Sequence, residues 1–548
     1  MNSNSSKSDG TKSRIPLGMV VSGSLTDGLE IKLDPQTSLE NIKVGTFVSI
    51  QGKETRFFAV ITDITLGASD PTLPSNPPDV SNPFIASVVA GTSAYGIIKA
   101  EPMLTLSVDG HQPAKTIPGH FSVAFTATEE DIGLVFGAED DRHFSIGTPL
   151  DMETKLCLDI EEFIERSNGV FGKSGTGKTF LTRLLLAGIL QKGTASNLVF
   201  DMQSEYGWKG YSESRTEVKG LKQLFSSQVA VFSLDEKSSK RRGLTPDYVV
   251  RIGYEEIEPE DIQMLRETLN LSEAAADAAY SLNSKFGRRR WLKEFISLGG
   301  DELRELASEM NVNDRALSTL HNRLSRLSRL DFMDENSAHD SVNQIIRYLD
   351  RGMHVVLEFG RYGSNFAAYI LVANLLTRRI YQRYVEMKER ASGDKSREPR
   401  PLVITIEEAH KFLTPAVANQ TIFGTIAREM RKYNVTLLVV DQRPSQIDEE
   451  VMSQLGTKIT CRLDSDRDVE AVLAGVSGSR KLRSVLSRLE PKQQALALGH
   501  ALPMPVVVQT REYGTPESYR ELGFQDTASL KAQAEQEIED LFGPSPTE

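Results

Sequence analysis

Residues Gly172-Lys173-Ser174-Gly175-Thr176-Gly177-Lys178-Thr179 match G-x-x-x-x-G-K-[ST] in full. This pattern functions only between a buried strand and the start of a helix. The short apolar stretch Gly169-Val170-Phe171 precedes it, and a helical run over residues 180–190 follows. The glycines let the backbone close around phosphates, whose charge is met by loop N–H groups and the helix N-terminus. Lys178 is expected to reach the β- and γ-phosphates, and the Thr179 hydroxyl to coordinate Mg²⁺. Gly172 to Thr179, with Phe180 opening the helix, are therefore the expected nucleotide-binding residues.

Hydrolysis also needs a carboxylate beside the metal-bound phosphate. The run Pro401-Leu402-Val403-Ile404-Thr405-Ile406 leads directly into Glu407-Glu408. A buried strand ending in two acids is costly unless a cation lies nearby. Glu407 is expected to support the Mg²⁺ shell and Glu408 to polarise the attacking water. The following strand, residues 435–440, ends in Asp441-Gln442-Arg443-Pro444, and Gln442 is the expected γ-phosphate sensor. Ahead of it, a helix over residues 425–432 carries Arg428 and Arg431 three apart, hence on one face. Either can supply transition-state charge to a neighbouring site, or be a surface arginine paired with acids such as Glu429.

Strand-like apolar segments at 197–200, 229–232 and 354–357 join those at 169–171, 402–406 and 435–440. Alternating with helices, they predict a parallel sheet covered on both faces. The expected fold is thus α/β, a RecA-like phosphate-loop ATPase core over residues 146–245 and 350–513. Residues 15–145 are rich in β-branched and aromatic runs and predict a small N-terminal β-barrel. A five-proline loop interrupts them at residues 70–83. Residues 246–349 read as an inserted helical bundle, residues 1–14 as a flexible tail, and 514–548 as a C-terminal arm. That arm carries a helix at 528–541, either bracing a neighbouring subunit or fraying.

The 548 residues carry 63 Lys+Arg against 75 Asp+Glu, a net charge of −12. A uniformly basic surface is excluded, while a positive lining inside an acidic exterior is not. Only Cys157 and Cys461 occur, too few for a disulfide framework or zinc site, which points to the cytoplasm. No apolar run reaches the roughly 18 residues needed to span a bilayer, so no membrane association is expected.

An Asn-Lys-x-Asp base-reading motif of GTPases and a Leu-Ser-Gly-Gly-Gln signature of cassette transporters are both missing. A small kinase would not need this length or a separate β-domain. A ring-motor ATPase remains. The chain resembles the HerA family of hexameric DNA-translocating ATPases related to FtsK. The likeness rests on Glu165 to Phe171 leading into the loop, on Asp201-Met202-Gln203-Ser204-Glu205-Tyr206, on Ile406 to His410, and on Ala427 to Tyr433 with Asp441 to Ser445. Val44 to Val48 and Phe57 to Ile61 resemble the family's opening barrel. The family usually has Asp-Glu where this chain has Glu407-Glu408.

This resemblance implies ATP and Mg²⁺ as ligands, a homohexamer, and double-stranded DNA as the translocated or unwound partner. It also implies a partner nuclease or other effector in DNA end processing, repair or antiviral (phage) defence. Arg166 and Arg431 match arginines of the subunit boundary, with Arg428 as competitor, and Glu205 matches an acid near the site. Lys209, Lys219 and Lys222, and the clusters Lys240-Arg241-Arg242 and Arg288-Arg289-Arg290, are candidate DNA contacts or ordinary surface charge. Two other functions stay open: an ATPase that remodels proteins or complexes, and a nucleotide-stabilised ring scaffold for an effector enzyme.

Overall fold

A computed structural model describes residues 14–524, apart from 71, 80, 90–92, 108–109, 212–216, 336–339, 417, 419–420 and 477–478. The expected helix at 528–541 and all but the last residue of the expected N-terminal tail lie outside the described residues. Contacts divide the chain into two compact units. One comprises residues 1–159 with 457–511, the other residues 160–456 with 512–548.

In the first unit, Pro16–Ser24, Gly28–Leu33, Phe47–Gln51, Arg56–Ala68, Ala94–Ser107 and Val123–Thr126 form an antiparallel sheet. It closes on itself through the register Leu29↔Ala100 and Ile31↔Ile98. Alternation places Val20, Ile31, Val48, Ile50, Ala59, Ile61 and Ile98 inside, as a closed barrel requires. A short helix, Pro83–Val89, follows the proline-rich loop, with Pro at its first turn where a missing N–H costs nothing. A second helix, Glu129–Phe136, is capped by Thr128. The sequence reading placed no helices among these strands.

The same unit holds a second, antiparallel array. Thr457–Cys461, Gln494–Gly499, Val506–Thr510, His143–Pro149 and Leu156–Asp159 lie side by side. The boundary expected between residues 145 and 146 therefore falls inside this unit. Val508 pairs with Pro149 and Gln509 with Thr148, across more than 350 residues of chain, so Thr457–Arg511 groups with the N-terminal segment rather than with the ATPase core. Such non-local pairing leaves no trace in local composition.

The second unit is built on a parallel sheet ordered Tyr248–Val249, Val229–Ser233, His354–Glu358, Ser196–Asp201, Leu402–Glu407, Val435–Asp441 and Asn168–Phe171. Its six longer strands are those read from the sequence. Nearly every residue in them is buried, which explains their unbroken apolar character. The edge strand Tyr248–Val249 lies within the stretch read as helical. Helices do dominate the rest of it. Glu273–Phe286 starts where the Ser272 side chain accepts from the Ala275 N–H, and Asp314–Leu327 buries Leu317, Leu320, Leu324 and Leu327 on one face.

A buried ionic cluster ties this helical segment to the sheet's covering helix Phe366–Ala391. Arg378 reaches Glu258 and, at 2.9 Å, Asp261, and Arg288 also pairs with Glu258. Glu258 and Asp261 are almost fully buried, so each acid depends on these arginines for compensation.

Candidate active site

The sheet's parallel strands end together, and the site lies at their carboxyl ends, as expected for open α/β sheets. From Phe171 the chain turns through the phosphate loop into the helix Lys178–Lys192. Gly175 and Gly177 adopt φ of 81° and 93°, a left-handed conformation that a Cβ would strain. Gly177 caps the helix without a side chain, leaving the first-turn N–H groups directed outward.

A cavity of about 260 Å³ is lined by Lys173, Ser174, Gly175, Gly177, Lys178, Thr179, Phe180, Arg183, Gln203, Glu205, Gly210, Glu407, Glu408 and Gln442. Most of the residues singled out in the sequence are thus brought together. Gly172 and Thr176 support the loop from behind: the Gly172 N–H donates to the Asp441 carbonyl, and the Thr176 hydroxyl to the Lys173 carbonyl at 2.7 Å.

Glu407 ends its strand partly buried at the cavity wall. Burial, followed by the charges of Asp201 and Glu205, pushes its carboxyl up to about 8. The Tyr206 hydroxyl donates to Oε1 at 3.0 Å, and the Tyr369 hydroxyl donates to the Glu407 carbonyl at 3.1 Å. Oε2 is buried without a partner among the described residues. Glu408 follows at φ 49°, a left-handed conformation rare for a residue with a Cβ and a form of strain that clusters at functional sites. The turn separates the two carboxyls, and Glu408 meets the Gln442 amide at 2.8 Å.

Two aspartates unassigned by sequence reasoning hold the surrounding backbone. Asp201 accepts from the N–H groups of Glu205 and Tyr206, each at 2.8 Å, and of Gly207 at 3.3 Å. This hangs the Gln203–Glu205 wall of the cavity from the strand end. Burial raises the Asp201 carboxyl all the same. Asp441 accepts from the His410 backbone N–H at 2.7 Å and contacts its Nδ1 at 2.9 Å. Burial pushes Asp441 up, but the hydrogen bond and charge of His410 outweigh it and hold the carboxyl low.

The arginines fall elsewhere. Arg428 ends the helix Ile422–Glu429 and turns to Glu450 at 3.3 Å and to the Ala418 carbonyl. The expected single helix over 425–432 gives way to a 3₁₀ turn at Met430–Tyr433, so Arg428 and Arg431 do not share one α-helical face. The Arg431 side chain lies outside the described part. Arg166 is exposed, and neither it nor Arg428 lines the cavity. Arg183, which sequence reading passed over inside an apolar helix, does.

The candidate DNA-contacting side chains are largely engaged within the chain. Lys209 pairs with Glu217 and Lys222 with Asp247. The Lys219 ammonium lies 3.6 Å from the centre of the Phe524 ring. In the two clusters, Lys240 pairs with Glu236, Arg242 with the buried Glu358, and Arg288 with Glu258. Of these pairs, Lys222–Asp247, Arg242–Glu358 and Arg288–Glu258 join separate elements, whereas Lys240–Glu236 lies within one helix.

A parallel sheet that brings a triphosphate cradle and an acid pair to one edge makes this chain a P-loop ATPase. Comparison with known proteins narrows the class. Residues 144–380 match the family described as Helicase HerA, central domain. The DNA double-strand break repair helicase HerA of Pyrococcus furiosus is 23% identical over 410 residues, covering 70% of this chain and 72% of that protein. The protein of the same name from Sulfolobus acidocaldarius is 25% identical over 481 residues, covering 86% and 90%. The chain therefore resembles the HerA family, whose central domain it matches over residues 144–380. Among solved structures, VirB4 of Thermoanaerobacter pseudethanolicus aligns with a TM-score of 0.46 at 14% identity, over 70% of this chain and 99% of that one.

Proposed function

We propose that this ATPase is a homohexameric motor that translocates or unwinds double-stranded DNA, working with a nuclease or other effector in DNA end processing, repair or phage defence. The observation that carries the motor reading is the convergence of Lys178, Thr179, Glu407, Glu408 and Gln442 on one cavity. The DNA substrate is suggested by relatives that bear the name of DNA double-strand break repair helicases. No helix among the described residues is long and apolar enough to cross a membrane.

The residues fit ATP with Mg²⁺. The partnerless Glu407 Oε2, in a carboxyl raised by burial, is the kind of group a divalent cation compensates. Thr179 and Glu407 would hold that cation, which when bound neutralises phosphate charge. Lys178 and the loop amides hold the triphosphate. Glu408 orients a water and takes its proton as the water adds to the γ-phosphorus, and the bond to the β-phosphate oxygen breaks to leave ADP. Gln442, whose amide donates to Glu408, is suited to sense the γ-phosphate beside it. Arg166, Arg428 or Arg431 of a neighbour is suited to grip the γ-phosphate, so that its loss loosens one interface of the ring.

DNA contact through backbone phosphates gives binding that weakens steeply with salt. The test is ATP turnover with and without linear duplex DNA, beside the mass of the assembly in solution. Stimulation by duplex ends and a six-chain mass are expected. A monomer indifferent to DNA overturns the proposal.

A further inference from the structure

Arg183 is the one arginine lining the cavity among the described residues, and it is only 3% exposed. It lies one turn beyond Phe180 on the helix that the phosphate loop opens. Its guanidinium carbon is 5.5 Å from the centre of the Phe180 ring and 5.8 Å from that of Tyr513. These two rings lie 6.1 Å apart in a stacked arrangement. Nη2 donates to the Glu205 carbonyl, and a Cβ at Gly210 would stand 2.9 Å from it. Nε is buried with no partner among the described residues. A desolvated guanidinium with an unspent donor calls for a further acceptor.

Tyr513 is itself fixed from the segment that follows the last strand. Its hydroxyl donates to the Lys219 carbonyl at 2.9 Å, and the Lys219 N–H donates to the Tyr519 hydroxyl at 2.8 Å. With the Lys219 ammonium over Phe524, the aromatic residues 513, 519 and 524 bind this segment to the loop after Glu205. Residues 512–524 thus belong to the nucleotide-binding unit, residues 514–524 coming from the segment read in the sequence as a C-terminal arm.

The order of groups along ATP decides what this wall receives. The γ-phosphate must face Glu408 and Gln442, and Lys178 takes the β- and γ-phosphates. The nucleoside then extends toward the helix residues after Thr179, where Phe180, Arg183 and Gly210 line the cavity. An aromatic face and a planar guanidinium suit a ring and sugar better than a further phosphate.

Resting on the ATPase reading, we propose that Phe180 and Arg183 form the wall against which the ribose and base of ATP lie, and that Tyr513 is a positioning residue that fixes this wall.

The test compares calorimetric affinities of the full chain for ADP and for inorganic tripolyphosphate. Arg183→Gln is expected to weaken ADP about tenfold, the loss of one hydrogen bond from a charged donor, and to leave tripolyphosphate within twofold. Tyr513→Leu should weaken ADP in the same selective way, and Tyr513→Phe, which keeps the ring but loses the bond to the Lys219 carbonyl, should weaken it selectively but less. If Arg183→Gln does not fold, Arg183→Lys provides the same comparison with the charge kept and the plane removed, and the same selective loss is expected. Equal losses for both ligands would make Arg183 a phosphate ligand and overturn the proposal, as would unchanged ADP binding. A parent chain that binds neither ligand overturns instead the ATPase reading beneath it.

Discussion

The side-chain amide of Gln442 donates to Oε1 of Glu408 at 2.8 Å, joining the residues that follow two adjacent parallel strands. In this arrangement the carboxylate proposed to activate water is held by the residue proposed to sense the γ-phosphate. Redirecting the amide to a phosphate oxygen would release Glu408 for the water. Glu408→Gln is expected to lower ATP turnover at least a hundredfold with ADP affinity retained, the range for loss of a general base. Gln442→Ala should also lower turnover while leaving ADP affinity unchanged. Steady-state turnover paired with ADP calorimetry checks both, and a Gln442→Ala enzyme of normal turnover would remove the sensor role.

Tyr206 bears on the metal rather than on the nucleotide. Its buried hydroxyl donates to Glu407, and a hydrogen bond to an ionised group contributes roughly 1.5–3 kcal/mol. Tyr206→Phe is therefore expected to raise the Mg²⁺ concentration for half-maximal ADP binding several-fold, with metal-free ADP affinity unchanged. Titrating Mg²⁺ against a fluorescent ADP analogue reads this directly.

Glu358 supplies a pH dependence away from the chemistry. Burial, with the charge of Asp201 second, raises its carboxyl to about 7, and Arg242 only partly offsets this. A carboxyl with a raised folded-state pKa favours the folded chain fully below its ordinary value near 4.5, and that contribution is lost as pH rises through about 7. Glu358→Gln cannot ionise. Its stability relative to the parent should therefore rise between pH 5 and pH 8, by roughly 1–3 kcal/mol. Denaturant unfolding at the two pH values checks the sign.

Arg378 compensates two buried acids, Glu258 and Asp261. Arg378→Ala leaves Asp261 without its ion pair and Glu258 with only Arg288 and Arg379, and should destabilise the fold by about 3 kcal/mol, whereas Arg304→Ala, which breaks only a highly exposed pair with Asp301, should change stability by less than about 1 kcal/mol. Chemical denaturation of the two variants makes the comparison.

The phosphate loop and the acid pair were legible because each packs its chemistry into a short stretch with strong local geometry. The same holds for the six longer parallel strands, whose burial on both faces writes itself as unbroken apolar runs. What local sequence does not carry is pairing at a distance. Val508 against Pro149 could not be foreseen, and it moved residues 457–511 out of the expected core. Arg183 went unnoticed because a single cation among leucines reads as the solvent side of a helix, whereas here two aromatic rings enclose it. Lys222, Arg242 and Arg288 looked available for DNA because their acid partners, Asp247, Glu358 and Glu258, arrive from other elements.

Asp201 gathers the N–H groups of three successive residues, from Glu205 to Gly207, onto one enclosed carboxylate. Replacing it with asparagine would put an amide where at most one of its two terminal atoms can accept. Glu205 at the cavity wall, Tyr206 against Glu407, and the close approach of Gly207 to Glu358 would then be disturbed together. A lesion there would look, in an activity assay, like damage at the acid pair itself, although the residue does not line the cavity.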